Sequence, residues 1–173
     1  MGERMDPAPV VTLGDVTPDD LPVFFDHQRD PEACATAAFS ARDRDAFMAH
    51  WHKVLADETV TTRTILFAGD VAGNIVSFDQ GGEREVGYWI GRAHWGRGVA
   101  TRALTAFLRI EQQRPLTAHV AERNVASRRV LEKCGFTVRG RASVSAQPED
   151  RETGGADRGA QAAPVEELIM RLD

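Results

Sequence analysis

Cysteine and net positive charge are both scarce in this 173-residue chain. Cys34 and Cys134 are too few for a disulfide framework and too far apart for a metal or redox motif, as expected in a reducing cytosol. Both are interpreted as small buried apolar side chains. The formal net charge is −5, so no overall basic field attracts nucleic acid or an anionic membrane, and cationic partners are mildly favoured.

Long apolar runs and metal-ligand spacings are also missing. The initial stretch MGERMDPAPV lacks the apolar core of a signal peptide, and no later segment is long enough to cross a bilayer. His50 and His52, two apart on a predicted helix, point to different faces, which argues against a shared metal. We therefore expect a cytoplasmic protein without a metal. Its length and 42% hydrophobic content fit a single domain over residues 1–173.

The hydrophobic pattern changes period along the chain. Helical spacing dominates the first third, and alternation of period two begins near Thr62. The predicted elements are a strand at 10–13, a helix from Thr17, a helix at 44–56, a hairpin of 61–68 and 71–78 that turns at Gly69-Asp70, a strand at 85–90, a helix from 100 that Pro115 stops, a strand at 115–120, a helix capped by Asn124, and strands at 136–141 and 167–172. Residues 31–40 are ambiguous, residues 1–9 are expected to be frayed, and 145–164 to form a mobile loop.

This order of elements predicts a mixed α/β sheet. The strands up to 85–90 should pair antiparallel, with Gly73 at a bulge or a weak point in the second strand of the hairpin. A helix between two strands implies a right-handed crossover, so strand 85–90 should lie parallel to strand 116–120. Within strand 85–90, Glu85, Gly87 and Trp89 share one face, and Val86, Tyr88 and Ile90 share the other.

A loop dense in glycine and arginine, GRAHWGRG over 91–98, joins this strand to the next helix. Main-chain N–H groups in such a loop and at a helix start lack intrahelical partners, and with the positive end of the helix dipole they attract an anion. Gly96 and Gly98 carry no Cβ, so the main chain can come close to a ligand. The loop is therefore predicted to hold a phosphate group.

Other readings of the loop fit less well. A Walker loop needs lysine and then a hydroxyl residue where this chain has Arg97 and Gly98. Gly96, Gly98 and Thr101 imitate a dinucleotide fingerprint, with Glu122 as the ribose-binding acid, but RAHW separates the strand from the first glycine and too few βα units follow. A merely structural turn explains neither the number of glycines nor the two arginines.

The segment from Trp95 to Ala100 closely resembles the [Q/R]xxGx[G/A] signature of the GNAT superfamily of acyl-CoA-dependent N-acetyltransferases. Tryptophan departs from the first position, yet WG[KR]GxAT is typical of the branch resembling the ribosomal-protein amino-terminal acetyltransferases. NVASRRVLEKCGF over 124–136 is similar to that branch's NxxSxxxxxKxGF pattern. The resemblance implies a single-domain GNAT fold with antiparallel early strands and a splayed parallel pair at the centre.

The same resemblance implies acetyl-CoA as co-substrate and assigns roles in binding it. The loop N–H groups would hold the pyrophosphate, and main-chain groups of residues 89–91 would pair with the pantetheine arm. A backbone N–H near Trp89 or Ile90 would stabilise the oxyanion of the reacting carbonyl. The residues implied in cofactor binding are Trp89, Ile90, Gly91, Gly96, Arg97, Gly98, Val99, Ala100, Thr101 and Asn124.

Transfer to an amine needs two further groups. An amine is mostly ammonium at neutral pH, so a base must remove a proton directly or through water. Glu85 is the candidate, since it lies early on the strand that leads into the cleft; a solvated strand-end charge is an equally good interpretation. His27, His94 and His119 are possible replacements. Ser127 is the candidate partner of the departing thiolate, against the alternative of a helix serine bonded to the preceding turn.

The sequence leaves the acceptor open. The expected reaction is acetyl transfer to a primary amine by direct attack in a ternary complex. A small molecule or a peptide fits this expectation, and a peptide or protein N-terminus is the first choice because of the branch motifs. A catalytically silent CoA-binding module and a dinucleotide-binding protein are the alternatives. A homodimer is compatible with the resemblance.

Overall fold

A seven-stranded mixed sheet with helices on both faces forms the fold of the computed structural model, which describes residues 9–144 and 163–173. The predicted frayed start and mobile loop lie almost entirely outside the described residues. The strands are β1 (Val11–Gly14), β2 (Thr61–Phe67), β3 (Asp70–Gln80), β4 (Glu83–Ile90), β5 (Leu116–Ala121), β6 (Thr137–Val144) and β7 (Val165–Leu172). The helices are α1 (Leu21–Gln28), α2 (Pro31–Ala37), α3 (Arg44–Ala56), α4 (Val99–Phe107) and α5 (Val125–Lys133).

The strand order is β1-β2-β3-β4-β5-β7-β6, and β4 and β5 form the parallel pair. The predicted neighbourhood of these two strands is confirmed. They pair only at Arg84 with Leu116 and at Glu85 with Thr117. Beyond those positions no main-chain hydrogen bonds pair the two strands. The strands diverge there, and the sheet opens into a wedge.

Two apolar cores hold the helices on the sheet. Val99, Ala103, Leu104 and Phe107 of α4 are buried with the inward residues of the central strands and with Leu131 of α5. On the other face α1 and α3 bury Leu21, Phe24, Phe47 and Trp51. Each such side chain contributes roughly 1.5–3 kcal/mol when fully buried. The two cores therefore fix the sheet between its two helical layers.

The turn between β2 and β3 differs from the prediction by one residue. The two-residue loop is Ala68-Gly69, because Asp70 pairs with Phe67 as the first residue of β3. Both loop residues have positive φ, 52° and 88°. This is the mirror-image turn that matches the twist of the flanking strands. The predicted Gly69-Asp70 loop is wrong because Asp70 belongs to the β2–β3 ladder. Ala68 takes the first loop position instead, in the left-handed conformation.

Helix α4 ends much earlier than Pro115, at Phe107. The chain leaves the helix so that Glu111 can turn inward, where it is buried with Arg84. Its carboxylate accepts hydrogen bonds from Ser77, Arg84 and the Gln113 N–H. Burial alone would raise the pKa of Glu111, but these bonds outweigh it and lower the pKa. A buried ion pair thus holds β3 and β4 at the closed end of the wedge.

The bulge expected at Gly73 is present in β3. Ile65 pairs with Gly73 and Leu66 with Val71, which leaves Ala72 as the extra residue. A Cβ on Gly73 would overlap the main-chain oxygen of Trp89. Glycine is therefore required here by the close approach of β3 to β4. The ambiguous segment 31–40 contains helix α2, which Asp30 caps by accepting from two main-chain N–H groups.

Candidate active site

A cavity of about 610 Å³ opens where β4 and β5 part. Its walls come from α2, the end of β4, the glycine loop with the start of α4, and α5. The lining residues are Ala33, Thr36, Ala37, Tyr88, Trp89, Ile90, His94, Trp95, Gly96, Gly98, Val99, Ala100, Thr101, Asn124, Ala126, Ser127, Arg129, Val130 and Lys133. Most of the residues that the sequence assigns to cofactor binding therefore meet in one place with Ser127, whereas Glu85, Gly91, Arg97, His27 and His119 do not line the cavity.

The glycine loop enters α4 through two left-handed residues. Gly96 has φ 72°, and Gly98 is the N-cap of α4 with φ 71° and ψ 17°. The first hydrogen bond of α4 runs from the Arg102 N–H to the Gly98 carbonyl at 3.2 Å, so the N–H groups of Val99 to Thr101 precede the intrahelical ladder. They lie at the positive end of the helix dipole, and all residues from Gly96 to Thr101 except Arg97 line the cavity, an arrangement that suits a phosphate group.

Arg102 supports this loop from behind. Its guanidinium donates to the carbonyls of Arg97 at 2.7 Å and Gly98 at 3.3 Å, and to the Pro9 carbonyl at 2.8 Å. Because these carbonyls are drawn toward Arg102, the loop keeps its N–H groups on the opposite side. The Arg97 guanidinium lies over the ring of Phe67 at 5.8 Å, and Arg97 does not line the cavity although Gly96 and Gly98 on either side of it do.

The main-chain groups at the end of β4 point in alternating directions. The Gly91 N–H donates to the Ala72 carbonyl at 2.8 Å, which extends the β3–β4 ladder. By antiparallel alternation the Trp89 N–H also points to β3, whereas the Ile90 N–H points to the opening. The Ile90 carbonyl accepts from the Trp95 indole at 3.0 Å. Among residues 89–91, Ile90 is therefore the one whose main-chain N–H is directed toward the place predicted for the pantetheine arm.

Two cations stand on the α5 side of the cavity. Arg129 and Lys133 are one helical turn apart and both line it. The neighbouring Arg128 is neutralised by Glu132 at 2.8 Å, whereas neither lining cation has a carboxylate partner within the part of the chain that the structure describes. This wall is therefore positively charged although the whole chain is acidic.

Ser127 lies on the first turn of α5, where Asn124 caps the helix. The Asn124 side chain accepts from the Ser127 N–H at 3.2 Å, so the predicted N-cap is confirmed. The Ser127 hydroxyl is 2.7 Å from the hydroxyl of Tyr88 on β4. The alternative interpretation expects this hydroxyl to bond back to the preceding turn of the helix. The hydroxyl instead contacts Tyr88, which belongs to a different element.

Glu85 lies on the other face of the sheet, at the last position where β4 pairs with β5. Its carboxylate is 4.0 Å from Nε2 of His119, and Nδ1 of His119 is 3.3 Å from the carboxylate of Glu167 on β7. Glu85 pairs with Thr117 of β5. His119 lies two residues after Thr117, on the same face of β5 and closer to the opening. Beside it Gly87 has no side chain. The three side chains form an acid–histidine–acid row on the floor of the wedge.

His27 and His94 occupy a different place, near the outer end of β4. The His27 ring lies where a side chain on Gly91 would be, and its centroid is 6.4 Å from that of His94. Burial, with a smaller contribution from His94, lowers the pKa of His27. Of the three histidines considered as replacement bases, His119 is the one placed beside Glu85.

The wall formed by α2 is joined to the rest of the site by aromatic and ionic contacts. Phe39 packs edge-on against Trp89 with centroids 5.3 Å apart, and the Trp89 indole donates to the His27 carbonyl. Arg92, just after β4, pairs with Asp30 at 2.9 Å and Glu32 at 2.7 Å. Helix α2 is thus tied to the turn that leads into the glycine loop.

Sequence reasoning missed Tyr88, Arg102 and Glu167 as members of the site. The alternation of the strand only places Tyr88 on the face opposite Glu85, although it is the chain's single tyrosine, which is a signal in itself. Arg102 directly follows the loop. Glu167 had no local signal, because β7 reaches β5 only through the sheet order.

The described residues contain no group of three potential ligands able to hold a metal ion. Nor does any helix among them have the length and apolar character needed to cross a membrane. The single parallel pair among the described strands is unlike the doubly wound parallel sheet of dinucleotide-binding folds. Glu122, the supposed ribose-binding acid, pairs with Arg141 at 2.9 Å.

Solved structures share this fold at low sequence identity. The chain resembles spermidine N-acetyltransferase from Vibrio cholerae in complex with CoA and spermine, with a TM-score of 0.72 and 17% identity over 94% of each chain. It also resembles a GNAT-family acetyltransferase from Bacillus anthracis, with a TM-score of 0.72 and 14% identity over 96% of each chain. The microcin C7 self-immunity acetyltransferase MccE, in complex with acetyl-CoA and AMP, has a TM-score of 0.69 and 14% identity, over 94% of this chain and 91% of that one.

No curated protein matches the sequence significantly. The family model described as Acetyltransferase (GNAT) domain matches residues 11–137, which is most of the chain and contains both the glycine loop and the start of α5. The chain therefore belongs to the GNAT acetyltransferase family and is an acyltransferase that uses acetyl-CoA.

Proposed function

We propose that the protein transfers the acetyl group of acetyl-CoA to a primary amine by direct attack in a ternary complex, with Glu85 and His119 removing the amine proton. The observation that carries this proposal is the row Glu85–His119–Glu167 on the floor of the wedge. It lies on the face opposite Ser127, so the two chemical tasks fall to opposite sides of the parting strands.

The donor side of the reaction uses mainly main-chain groups. The N–H groups from Gly96 to Thr101 hold the pyrophosphate, and the pantetheine arm lies along the end of β4. The Ile90 N–H points into the opening and is the donor available to the oxyanion. Asn124 and Ser127 stand beside the arm at the start of α5.

The acceptor side uses a relay. Glu85 is buried and neither Glu85 nor His119 lines the cavity, so the proposed path from the amine to His119 and Glu85 runs through intervening water. His119 is more accessible than Glu85, since 23% of its side chain is exposed against 10% for Glu85. The amine proton passes to His119 or water and the charge is stabilised by the two carboxylates. The neutral amine then attacks the acetyl carbon.

Within the class of primary amines, a peptide or protein N-terminus is our first candidate acceptor. The motifs from Trp95 to Thr101 and from Asn124 to Phe136 support it, because this combination is typical of the amino-terminal branch. An α-amino group has a reference pKa of about 7.7–8.0, against about 10.4 for a lysine side chain, so it requires less help from a base.

A small cationic amine is the second candidate. The acidic floor favours a positively charged acceptor, and one solved structure with this fold is a spermidine N-acetyltransferase bound to spermine. The two candidates differ in where charge is needed. A polyamine brings a second ammonium group to the site, whereas a peptide N-terminus is followed by an uncharged amide.

A paired acceptor screen tests the proposal. Release of free thiol from acetyl-CoA is followed with a peptide that carries a free N-terminus, with the same peptide blocked at its N-terminus but containing lysine, and with spermidine. We expect turnover with the free N-terminus, and mass spectrometry locates the acetyl group. Turnover only with hydroxyl or thiol acceptors would refute amine transfer. Binding of acetyl-CoA without turnover would favour the silent CoA-binding module.

A further inference from the structure

Tyr88 and Ser127 touch across the cavity from different elements. The Tyr88 hydroxyl lies 2.7 Å from Ser127 Oγ and 3.3 Å from the Ser127 carbonyl oxygen. Both residues line the cavity where the pantetheine arm is placed. Tyr88 comes from β4, so the contact also spans the splayed part of the wedge. Helix geometry alone therefore does not determine how the serine hydroxyl is oriented.

Either hydroxyl can donate in the 2.7 Å contact between Tyr88 and Ser127 Oγ. A phenol is far more acidic than an aliphatic alcohol, which favours Tyr88 as the donor. The 3.3 Å contact with the Ser127 carbonyl, which can only accept, keeps the phenol O–H on the Ser127 side. With Tyr88 as the donor to Oγ, the Ser127 proton can be donated elsewhere, and the cavity is the space beside it.

The Tyr88 phenol acts without losing its proton. Burial is the main cause that raises the pKa of Tyr88 to about 12. A thiol has a reference pKa of about 8.5, so proton transfer from this phenol to a thiolate would be uphill. Tyr88 can therefore supply a hydrogen bond over the working pH range, but not a proton.

We propose that Tyr88 is a positioning residue for departure of the thiolate: it holds Ser127 Oγ so that the serine O–H points at the sulfur of CoA. This rests on the role of Ser127 in the proposed function. When the amine has attacked, the C–S bond breaks and its electron pair stays on sulfur. Ser127 keeps its proton and donates a hydrogen bond to the new thiolate, which takes up a proton from solvent. The second proton of the attacking nitrogen, which it loses once its bond to the acetyl carbon has formed, leaves on the opposite side toward His119.

The sharpest test requires no acceptor. CoA is bound to the protein, and the acid dissociation constant of its thiol is measured from the ultraviolet absorbance of the thiolate as the pH is raised. Loss of one hydrogen bond should lower that constant by about three- to tenfold in Tyr88→Phe. Ser127→Ala should lower it at least as much, and the double variant should match Ser127→Ala alone. Thr105→Val is the control, because the Thr105 hydroxyl bonds back to the Thr101 carbonyl within α4.

Turnover gives an independent readout. With acetyl-CoA, Tyr88→Phe should lower kcat about three- to tenfold at nearly unchanged acetyl-CoA affinity. Calorimetry of CoA binding verifies that each variant is folded. In the Ser127→Ala background, Tyr88→Phe should have no further effect, because Tyr88 acts only through Ser127. The deficit should also shrink with an aryl thioester, whose more acidic thiol needs less stabilisation as it leaves.

Two results would overturn the proposal. In the first, the acid dissociation constant of the CoA thiol is unchanged in Tyr88→Phe but lowered in Ser127→Ala. Ser127 would then keep its role, and Tyr88 would have none. An unchanged constant in both variants would remove Ser127 from the mechanism and Tyr88 with it. Because the titration uses CoA alone, neither result can be mistaken for a wrong choice of acceptor amine.

Discussion

The proposed donor side and the proposed acceptor side of the wedge are built from different parts of the chain. Most of the proposed donor side is one continuous segment, from Ile90 to Arg102, which offers main-chain N–H groups, and α5 adds polar side chains and cations beside it. The acceptor side is a row of side chains from β4, β5 and β7, and it offers carboxylates around His119. The donor side thus depends on backbone shape, whereas the acceptor side depends on particular side chains.

This difference has a simple physical basis. A pyrophosphate is a fixed anion, so preorganised N–H groups recognise it whatever side chains surround them, provided that glycine permits the backbone. An acceptor must change its protonation state during the reaction, so groups that bind and release protons have to face it. Substitutions should therefore separate the two sides, except at the closed end of the wedge, where both depend on the same support.

The largest effect is expected at that closed end. Glu111→Gln leaves the buried Arg84 without its main carboxylate, and removing one partner of such a pair should cost about 3 kcal/mol of unfolding free energy. Denaturant unfolding at neutral pH measures it. Because the pKa of Glu111 is lowered in the folded protein, its contribution is complete above the ordinary carboxyl pKa and is lost as the pH falls through the folded value.

The control for this change is Asp79→Asn. Asp79 is the other carboxylate near Arg84, at 3.4 Å, but it is half exposed. Its loss should cost under about 1 kcal/mol. Equal losses from both variants would show that the buried pair has no special weight, and a Glu111→Gln deficit that persists in acid would show that the charge is not its cause.

The acceptor side should fail next, and in a pH-dependent manner. Glu85→Gln should lower kcat/KM about 100-fold near neutral pH, where the amine is protonated, and the deficit should shrink as alkaline pH supplies free amine. Acetyl-CoA affinity should be unchanged. Glu83→Gln, two residues earlier on the same face of β4 and exposed, is the matched control. A pH-independent deficit would make Glu85 structural.

The donor side should fail through its backbone. Gly98→Val places a β-branched residue at φ 71° and blocks close approach of the pyrophosphate, so acetyl-CoA affinity should fall at least about tenfold, or ~1.4 kcal/mol. A Cβ there meets only Arg102 Nε at 3.9 Å, so the fold should survive. Gly82→Val, at φ 87° with open space around it, carries similar strain far from the loop. Calorimetry that finds equal affinity in both variants would contradict the loop's role.

The smallest effect is expected at the loop's support. Arg102→Met removes the donors that hold the carbonyls of Arg97 and Gly98, and the KM for acetyl-CoA should rise about three- to tenfold. S-acetylpantetheine, which lacks the pyrophosphate, should be used equally well by both proteins. Arg109→Met, on the exposed turn after α4, controls for loss of a charge. A similar loss of activity in Arg102→Met with acetyl-CoA and with S-acetylpantetheine would indicate general damage to the site.

Local patterns predicted the structure around the glycine loop well. The strand, the glycines and the helix start are contiguous, so their conformation needs no knowledge of distant contacts, and the parallel pairing followed from the helix between the strands. The Asn124 cap and the α3 boundaries were predictable for the same reason. The fold class depended only on this order of elements.

Contacts between residues far apart in the sequence limit how much of the structure the sequence predicts. Glu167 joins the acceptor floor because β7 inserts between β5 and β6, which no local pattern reveals. Tyr88 meets Ser127 only after α5 packs on β4. Helix α4 stops at Phe107 because tertiary pairing of Glu111 overrides its helical propensity. These are the places where a long-range contact decides between two locally acceptable structures.

The bulge in β3 makes the fold unequally tolerant of changes in length. Leu66 already pairs with Val71 and Ile65 with Gly73, so deleting Ala72 would keep the register with β2 but remove a buried side chain and the carbonyl that accepts from the Gly91 N–H. A one-residue deletion there would therefore change what the end of β4 meets in β3. The turn at Gly81-Gly82 has open space around both residues and can take an insertion. Natural variation in length should therefore accumulate at that turn and stop at Ala72.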